Sequence, residues 1–175
     1  LTAVNLTSTD GGIVDGGAGF VDVVATGGRL VIDAETGVGN AGAIDTTLGS
    51  ADIDNQTSGS IDINETDAIT VVKAVQATTG AVQIVAGGTI TLDSAGAPAN
   101  VVSTPAASNI TIDANGGGSS ILVNDGLSTN GGAVTITADD DVIFAAEGDI
   151  ASANGTVSVT ADADSVGAGS GALTM

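Results

Sequence analysis

The sequence predicts an all-β protein that folds as a parallel β-solenoid, a right-handed β-helix of about eight coils with roughly 22 residues each. The first observation is repetition: the run VTITAD at Val134 returns 23 residues later as VSVTAD at Val157. The second is alternation, because apolar and polar residues alternate over four to six residues in many places. The third is composition: the chain has two Phe, one Met and no Trp, Tyr or Cys. The interior must therefore be narrow and filled with small aliphatic side chains.

Short alternating runs follow one another along the whole chain, separated by Gly, Asn, Asp and Ser. The apolar pairs at i and i+2 are Val4/Leu6, Val21/Val23, Leu30/Ile32, Ile61/Ile63, Ile69/Val71, Val82/Ile84, Ile90/Leu92, Ile110/Ile112, Ile121/Val123, Val134/Ile136, Val142/Phe144 and Val157/Val159. Successive coils are predicted to start at Val4, Val21, Ile44, Ile61, Val82, Ile110, Val134 and Val157, which gives steps of 17 to 28 residues. The coil that contains residues 43–53 has the poorest alternation.

Several coils contain more than one strand. A second strand is predicted eight residues after the first, so that Ile69, Ile90 and Val142 follow Ile61, Val82 and Val134. A third apolar point is predicted at Val75, Val101, Leu127 and Ile150. A sandwich is disfavoured, because it needs longer strands, hairpin turns and a thicker core. Right-handed coiling is the expectation for parallel crossovers.

Two prolines mark the longest step between coils. Pro98 and Pro105 predict a loop insertion near residues 95–108, because proline cannot donate a hydrogen bond to a strand ladder. We expect residues 1–175 to form a single solenoid domain. The chain begins at Leu1 without an initiator Met and stops abruptly at Met175, which favours a fragment of a longer repeat protein.

The charge balance excludes several functions. The formal net charge is −19, with two basic residues and no His. Nucleic acids and anionic membrane surfaces require a basic patch, and no apolar run is long enough to insert into a membrane. Catalysis by paired acids and bases lacks its basic partners, and no His is present to activate a Ser. We therefore predict that the chain is not an enzyme.

Acidic corners are the candidate site. Asp139 and Asp162 occupy the same position in two repeats, as do Asp141 and Asp164. Oxygen-rich corners suit Ca²⁺, which takes six to eight oxygen ligands. The alternative is that these aspartates are solvated turn residues, since Asp is favoured in turns, and this alternative is preferred. No other cofactor is predicted.

The repeats resemble those of filamentous-haemagglutinin-like large exoproteins and related bacterial β-strand-repeat surface proteins. The similarity lies in runs such as GGAVTITADDDVIFAAEGDI and GSIDINETDAITV, and it is clearest from Gly80 to Met175. The resemblance implies a right-handed β-helical shaft that is exported to the cell surface or the medium.

From the resemblance we expect an extracellular structural segment, either an adhesin shaft or a matrix filament. Its partners would be copies stacked head to tail or neighbouring repeats of the same chain, because end coils expose unpaired strand edges. The alternative function is a carbohydrate- or receptor-binding adhesin module, whose host or matrix ligand would bind at residues 95–108 or on the acidic face.

Overall fold

A computed structural model describes residues 3–17, 19–96, 100–164 and 171–175. Within these ranges the chain forms eighteen β-strands and no helix. The strands are β1 (Ala3–Ser8), β2 (Val23–Val24), β3 (Arg29–Ala34), β4 (Ile44–Thr47), β5 (Ser50–Asn55), β6 (Ile61–Glu65), β7 (Ile69–Gln76), β8 (Val82–Ala86), β9 (Ile90–Leu92), β10 (Asn100–Thr104), β11 (Ile110–Ala114), β12 (Ile121–Val123), β13 (Gly126–Thr129), β14 (Val134–Ala138), β15 (Val142–Phe144), β16 (Ile150–Ala151), β17 (Val157–Thr160) and β18 (Leu173–Thr174).

The strands form two parallel sheets, which confirms the predicted parallel β-solenoid. Sheet A has eleven strands and includes the path β1-β3-β5-β7-β9-β12-β15-β18. Sheet B has seven, in the order β2-β4-β6-β8-β11-β14-β17. Every neighbouring pair is parallel and comes from successive coils, for example β11 between β8 and β14. The seven strands of sheet B correspond to about seven turns.

The core is a set of aliphatic columns that run along the solenoid axis. In sheet B, Ile63, Ile84, Ile112 and Ile136 are register partners in four successive strands, and none is more than 1% exposed. Strand geometry places every second side chain on the same face, so the alternation in sequence becomes a stacked column. Each coil buries its apolar residues mainly against its two neighbours.

A second column confirms the predicted eight-residue offset. Ile69, Ile90, Ile121 and Val142 are register partners in β7, β9, β12 and β15, and all are buried. These residues start the second strand of their coils, as predicted for Ile69, Ile90 and Val142.

Sheet A divides at β7. The first half of β7 pairs with β9, and its second half pairs with β10. A register shift follows the pair Ala51–Val71, because Asp52 pairs with Lys73 and leaves Val72 as an extra residue. The coils that begin with β8, β11 and β14 have a third strand, β10, β13 or β16, as predicted. Leu127 and Ile150 are partners there. In the coil before them the inward residue is Ala74, which pairs with Val102, and not the predicted Val75.

The register of the first coils differs from the prediction. Val4 pairs with Leu30 in sheet A, so it does not start a strand of sheet B. Ile44 pairs with Ile63, whereas Val38 bridges to Ile61. The turn at residues 39–42 separates Val38 from Ile44 and changes the phase of the alternation. The sequence prediction was wrong here because it assumed one start point for each coil.

The segment from 95 to 108 contains a strand in addition to turns. Strand β10 pairs with β7 and β13, and it buries Val101, Val102 and Thr104. Val102 is the residue that pairs with Leu127, because Val101 lies at a register shift. Pro105 directly follows the strand, where no ladder donor is needed, and Pro98 lies outside the described residues. The prediction of a loop over the whole segment therefore needs correction.

Candidate functional site

The four predicted aspartates lie after the last strands of sheet B. The backbone N–H of Asp139 donates to the carbonyl of Ala114 at 3.0 Å, and that of Asp162 donates to the carbonyl of Asp140 at 2.9 Å. Asp162 has a φ of 57°, in the left-handed region that Asp tolerates better than most residues. Both are corner residues, but they are not equivalent, because Ala163 and not Asp162 donates to the carbonyl of Ala138, the register partner of Ala114.

Asp141 and Asp164 do not occupy equivalent positions. The Oδ1 atom of Asp141 accepts a hydrogen bond from the backbone N–H of Ala172 at 2.7 Å. Val142 pairs with Leu173, so Ala172 is the neighbour of Asp141 in the next coil. Sixteen residues separate Val157 from Leu173, whereas eight separate Val134 from Val142. The longer connection displaces Asp164 from the position that the repeat predicted.

An acidic cluster nevertheless forms, with Asp113 as an additional member. Partial burial, and then the charge of Asp139, raises the pKa of Asp113. Partial burial, and then the charge of Asp164, raises the pKa of Asp139. Among the residues that the structure describes, no three His, Cys, Asp or Glu side chains are grouped so that they could hold a metal ion. The charges that raise these pKa values show that the carboxylates of Asp113, Asp139 and Asp164 repel one another.

Replacing Asp139 with asparagine is expected to stabilise the protein at neutral pH. The raised pKa means that the folded state disfavours the ionised carboxylate of Asp139. Ionisation therefore lowers the free energy of unfolding at every pH above the folded-state pKa. This loss of stability disappears as the pH falls through the folded-state pKa towards 3.8, the ordinary pKa of aspartate. Urea unfolding of both proteins, followed by far-UV circular dichroism, should show a gain at pH 7 that vanishes near pH 4.

The exposed Asp10 provides the control for net charge, because it lies outside this cluster. Asp10→Asn removes the same formal charge but should leave the free energy of unfolding nearly unchanged. An equal gain from both variants would mean that net charge, and not the cluster, determines the effect.

Glu65 is a buried polar residue of the interior. It is 1% exposed, at the inward position of β6 that is level with Thr46. Its Oε2 accepts from the Thr46 hydroxyl at 2.7 Å, and its carboxylate accepts from the N–H groups of Leu48 at 3.0 Å and Asp67 at 3.2 Å. Glu65 therefore links the corners of two adjacent coils.

A second group of buried polar side chains lies at the end of sheet A. The Asn55 Nδ2 donates to the Gln76 Oε1 at 2.6 Å, and the Asn55 Oδ1 accepts from the N–H of Gly37 at 2.7 Å. Thr129 continues the series two coils further on, donating to the carbonyl of Ser108 at 2.7 Å. These side chains satisfy backbone groups where the chain turns, so their role is structural.

Both basic residues lie on the outer face of sheet A and bridge adjacent coils. Arg29 forms an ion pair with Asp52, and the Lys73 Nζ lies 2.6 Å from the Asp54 Oδ2. All other charged side chains of the sequence are carboxylates.

Two concave surfaces could accept a ligand or partner. The first, here called the branch groove, has a volume of about 320 Å³ and lies where sheet A divides. It is lined by Asp52, Val72, Lys73, Val75, Ser94, Asn100 and Val101.

The second surface, here called the end cavity, lies at the last coil. It has a volume of about 410 Å³ and is mostly apolar. Its lining includes Phe144, Ile150, Val157, Val159 and Met175.

Comparisons with known proteins give the chain no family. No family model, curated protein or solved structure matches it. In the described part of the chain, no helix is long and apolar enough to cross a membrane.

Proposed function

We propose that this chain is an extracellular structural segment, a stiff β-helical rod that serves as an adhesin shaft or matrix filament. The observation that carries the proposal is the unbroken stacking of Ile63, Ile84, Ile112 and Ile136 between parallel ladders. Such a column resists bending, because every coil is bonded to its neighbours along its length. At about 4.8 Å per coil, seven turns extend roughly 30–35 Å.

The charge distribution supports this function. Of 21 acidic residues, two are paired with Arg29 and Lys73 and two, Glu65 and Asp125, are buried; the remaining carboxylates give the surface its negative charge. A strongly negative surface keeps rods soluble and separate in the lateral direction. The repeat style, which resembles that of large bacterial exoproteins, supports placement at the cell surface or in the medium.

The ends of the rod support contacts along its axis. The edge of β17 and the apolar end cavity at one end, and the edge of β1 at the other, can each accept a further parallel coil. That coil would come from a second copy stacked head to tail or from neighbouring repeats of the same chain. A contact of this kind does not close on itself and therefore produces filaments.

Electron microscopy and small-angle scattering of the purified chain over a range of concentrations would test the proposal. We expect thin rods that lengthen with concentration while their cross-section stays constant. Val157→Asp, which places a charge in the end cavity, should shorten them, whereas Thr78→Asp, which adds the same charge at an exposed turn between β7 and β8, should not. Compact particles would contradict the rod itself, and rods of one length at all concentrations would contradict only the end-to-end stacking.

A second candidate function is a carbohydrate- or receptor-binding adhesin module. The branch groove favours it, because Lys73, Ser94 and Asn100 offer polar groups beside an apolar floor. Two of its lining residues, Asn100 and Val101, belong to the segment 95–108, where the sequence suggested binding. A glycan array with the wild type and with Asn100→Ala would test it: binding that Asn100→Ala weakens supports the groove, and silence of the wild type contradicts it.

For the acidic corners, we propose solvated turns without bound calcium. This proposal is supported by the hydrogen bond from the N–H of Ala172 to Asp141, which already uses one of the candidate ligand oxygens. Millimolar Ca²⁺ and excess chelator should therefore give the same melting temperature. A rise of the melting temperature in Ca²⁺ that Asp139→Asn abolishes would contradict this proposal and support a calcium site.

A further inference from the structure

Three columns of apolar residues, here called the full-length columns, run through seven successive coils and end together. Register pairing gives the first as Val4, Leu30, Ala51, Val71, Leu92, Val123 and Phe144. It gives the second as Leu6, Ile32, Ile53, Ala74, Val102, Leu127 and Ile150. It gives the third as Ile13, Val38, Ile61, Val82, Ile110, Val134 and Val157. The last members, Phe144, Ile150 and Val157, all line the end cavity, which is therefore the open end of the solenoid interior.

The opposite end of the rod presents the first members of the same columns. Val4, Leu6 and Ile13 are partly buried and pack against the core. Strand β1, which carries Val4 and Leu6, pairs with β3 on one side and has no partner on its other side among the described strands. The first coil of a second copy could therefore continue all three full-length columns.

Strand β18 occupies part of the position that this first coil would take. It pairs with β15 at only two positions, Val142–Leu173 and Ile143–Thr174, and it leaves the second and third full-length columns uncovered. Leu173 is 49% exposed and Met175 is 91% exposed. Strand β1 pairs with β3 at six positions, so it can form a longer ladder than β18 does. Strand β18 is therefore a short cap on the edge of β15.

The fold already contains the pairing that a second copy would need. To continue the first and second full-length columns, β1 of that copy must pair with β15 and β16 at once. Strand β7 does this inside the solenoid, because its first half pairs with β9 and its second half with β10. One strand facing two is therefore compatible with this sheet.

We propose that β1 of a second copy displaces β18 and takes its place on β15, so that the full-length columns continue from one copy into the next. This inference rests on the proposed head-to-tail stacking and adds its register and the strand that gives way. The ladder that β18 loses is replaced by strand addition from β1. The coil that starts at Val134 is followed 23 residues later by the next at Val157. A coil-to-coil contact thus reaches the roughly 20–30 residues a side of a stable interface.

Cysteine pairs between copies test the register, because the chain has no Cys of its own. Ala3 and Ile143 are both exposed and occupy the same level of sheet A, so β1 of the second copy should bring Ala3 beside Ile143. A disulfide spans about 4.4–6.8 Å between Cα atoms, close to the spacing of neighbouring strands. A mixture of Ala3→Cys and Ile143→Cys, mildly oxidised at physiological salt to screen the acidic ends, should give linked pairs by intact mass.

Two further mixtures define the outcomes of this cross-linking. Asn5→Cys mixed with Ile143→Cys should give no linked pair, because Asn5 lies about 6.6 Å further along β1, which places the two Cα atoms beyond the reach of a disulfide. Ala3→Cys mixed with Thr174→Cys should also stay unlinked. A link from Ala3→Cys to Thr174→Cys, with none to Ile143→Cys, would overturn the proposal, because the copies would then stack on β18.

A disulfide within one copy tests the displacement itself. Ile143→Cys combined with Thr174→Cys joins two register partners and should fix β18 on β15. Electron microscopy of the oxidised protein should show rods of one length at all concentrations, and dithiothreitol should restore lengthening. The matched control, Thr91→Cys combined with Leu122→Cys, joins partners in the same sheet near the middle of the rod and should lengthen in both states.

The failure of this inference and the failure of the proposed stacking give different results. If the oxidised Ile143→Cys/Thr174→Cys protein lengthens as the control does, β18 is not displaced, and the displacement is overturned while the stacking stands. If the wild type and the control also keep one length at all concentrations, the end-to-end stacking itself is wrong, and the displacement is wrong with it.

Discussion

Replacing Gly116 with alanine is expected to destabilise the solenoid by about 1–3 kcal/mol, the usual cost of overpacking a close-packed site. An added Cβ at Gly116 would lie 1.9 Å from the carbonyl oxygen of Gly87 in the preceding coil. A backbone carbonyl cannot rotate away as a flexible side chain can, so the two coils must separate locally. Since the coils are stacked, this separation weakens the ladders on both sides of the corner.

The adjacent Gly117 provides a matched control. A Cβ at Gly117 would meet no atom within 4 Å, and its φ lies outside the left-handed region. Gly117→Ala should therefore change the free energy of unfolding by less than about 0.5 kcal/mol. Urea unfolding should be followed by far-UV circular dichroism, because the chain has no Trp or Tyr for fluorescence. Equal midpoints for the two variants would contradict the tight corner.

The same close approach recurs at other corners. A Cβ added at Gly80 would lie 1.8 Å from the carbonyl oxygen of Gly59, and a Cβ added at Gly155 would lie 1.8 Å from the carbonyl oxygen of Gly132. The glycines that punctuate the sequence thus allow adjacent coils to approach each other, in addition to allowing tight turns. Sequence analysis located these corners but could not tell Gly116 from Gly117, because the difference depends on the neighbouring coil.

The central coils were predictable from sequence for a simple physical reason. From Ile61 to Val159 the apolar residues alternate regularly, and one inward position in every coil stacks on the same position in the next. The first coils lack this regularity, because the turn at residues 39–42 shifts the register between Val38 and Ile44. Local alternation does not reveal the length of such a turn.

The candidate site shows the limits of repeat matching. Asp139 and Asp162 do follow equivalent strands, but the longer connection before β18 means that Asp141 and Asp164 do not occupy equivalent positions. Buried polar residues were missed for another reason. Polarity alone assigns Asn55, Gln76 and Glu65 to the surface, because an isolated polar side chain carries no sign of its buried hydrogen-bond partners. In β6 the signal was present, since Glu65 is in phase with Ile61 and Ile63.

Glu65→Ala is expected to lower the free energy of unfolding by about 3–5 kcal/mol, because a buried donor that loses its partner costs about 1–3 kcal/mol. Three donors would lose their acceptor: the Thr46 hydroxyl and the N–H groups of Leu48 and Asp67. Leu48 and Asp67 both lie in connections from sheet B to sheet A, in successive coils. The loss should therefore loosen both corners at once.

Two further variants separate the hydrogen bonds of Glu65 from its volume. Glu65→Gln keeps one oxygen acceptor and nearly the same shape, so its cost should be intermediate. Glu147→Ala removes an exposed glutamate and should cost less than about 0.5 kcal/mol.

Combining Glu65→Ala with Thr46→Val should cost less than the sum of the two single changes, because the hydroxyl that loses its acceptor is then absent. Strict additivity would show that Thr46 does not depend on Glu65. A Glu65→Ala cost as small as that of Glu147→Ala would mean that water replaces the carboxylate at these corners and that Glu65 does not hold the coils together.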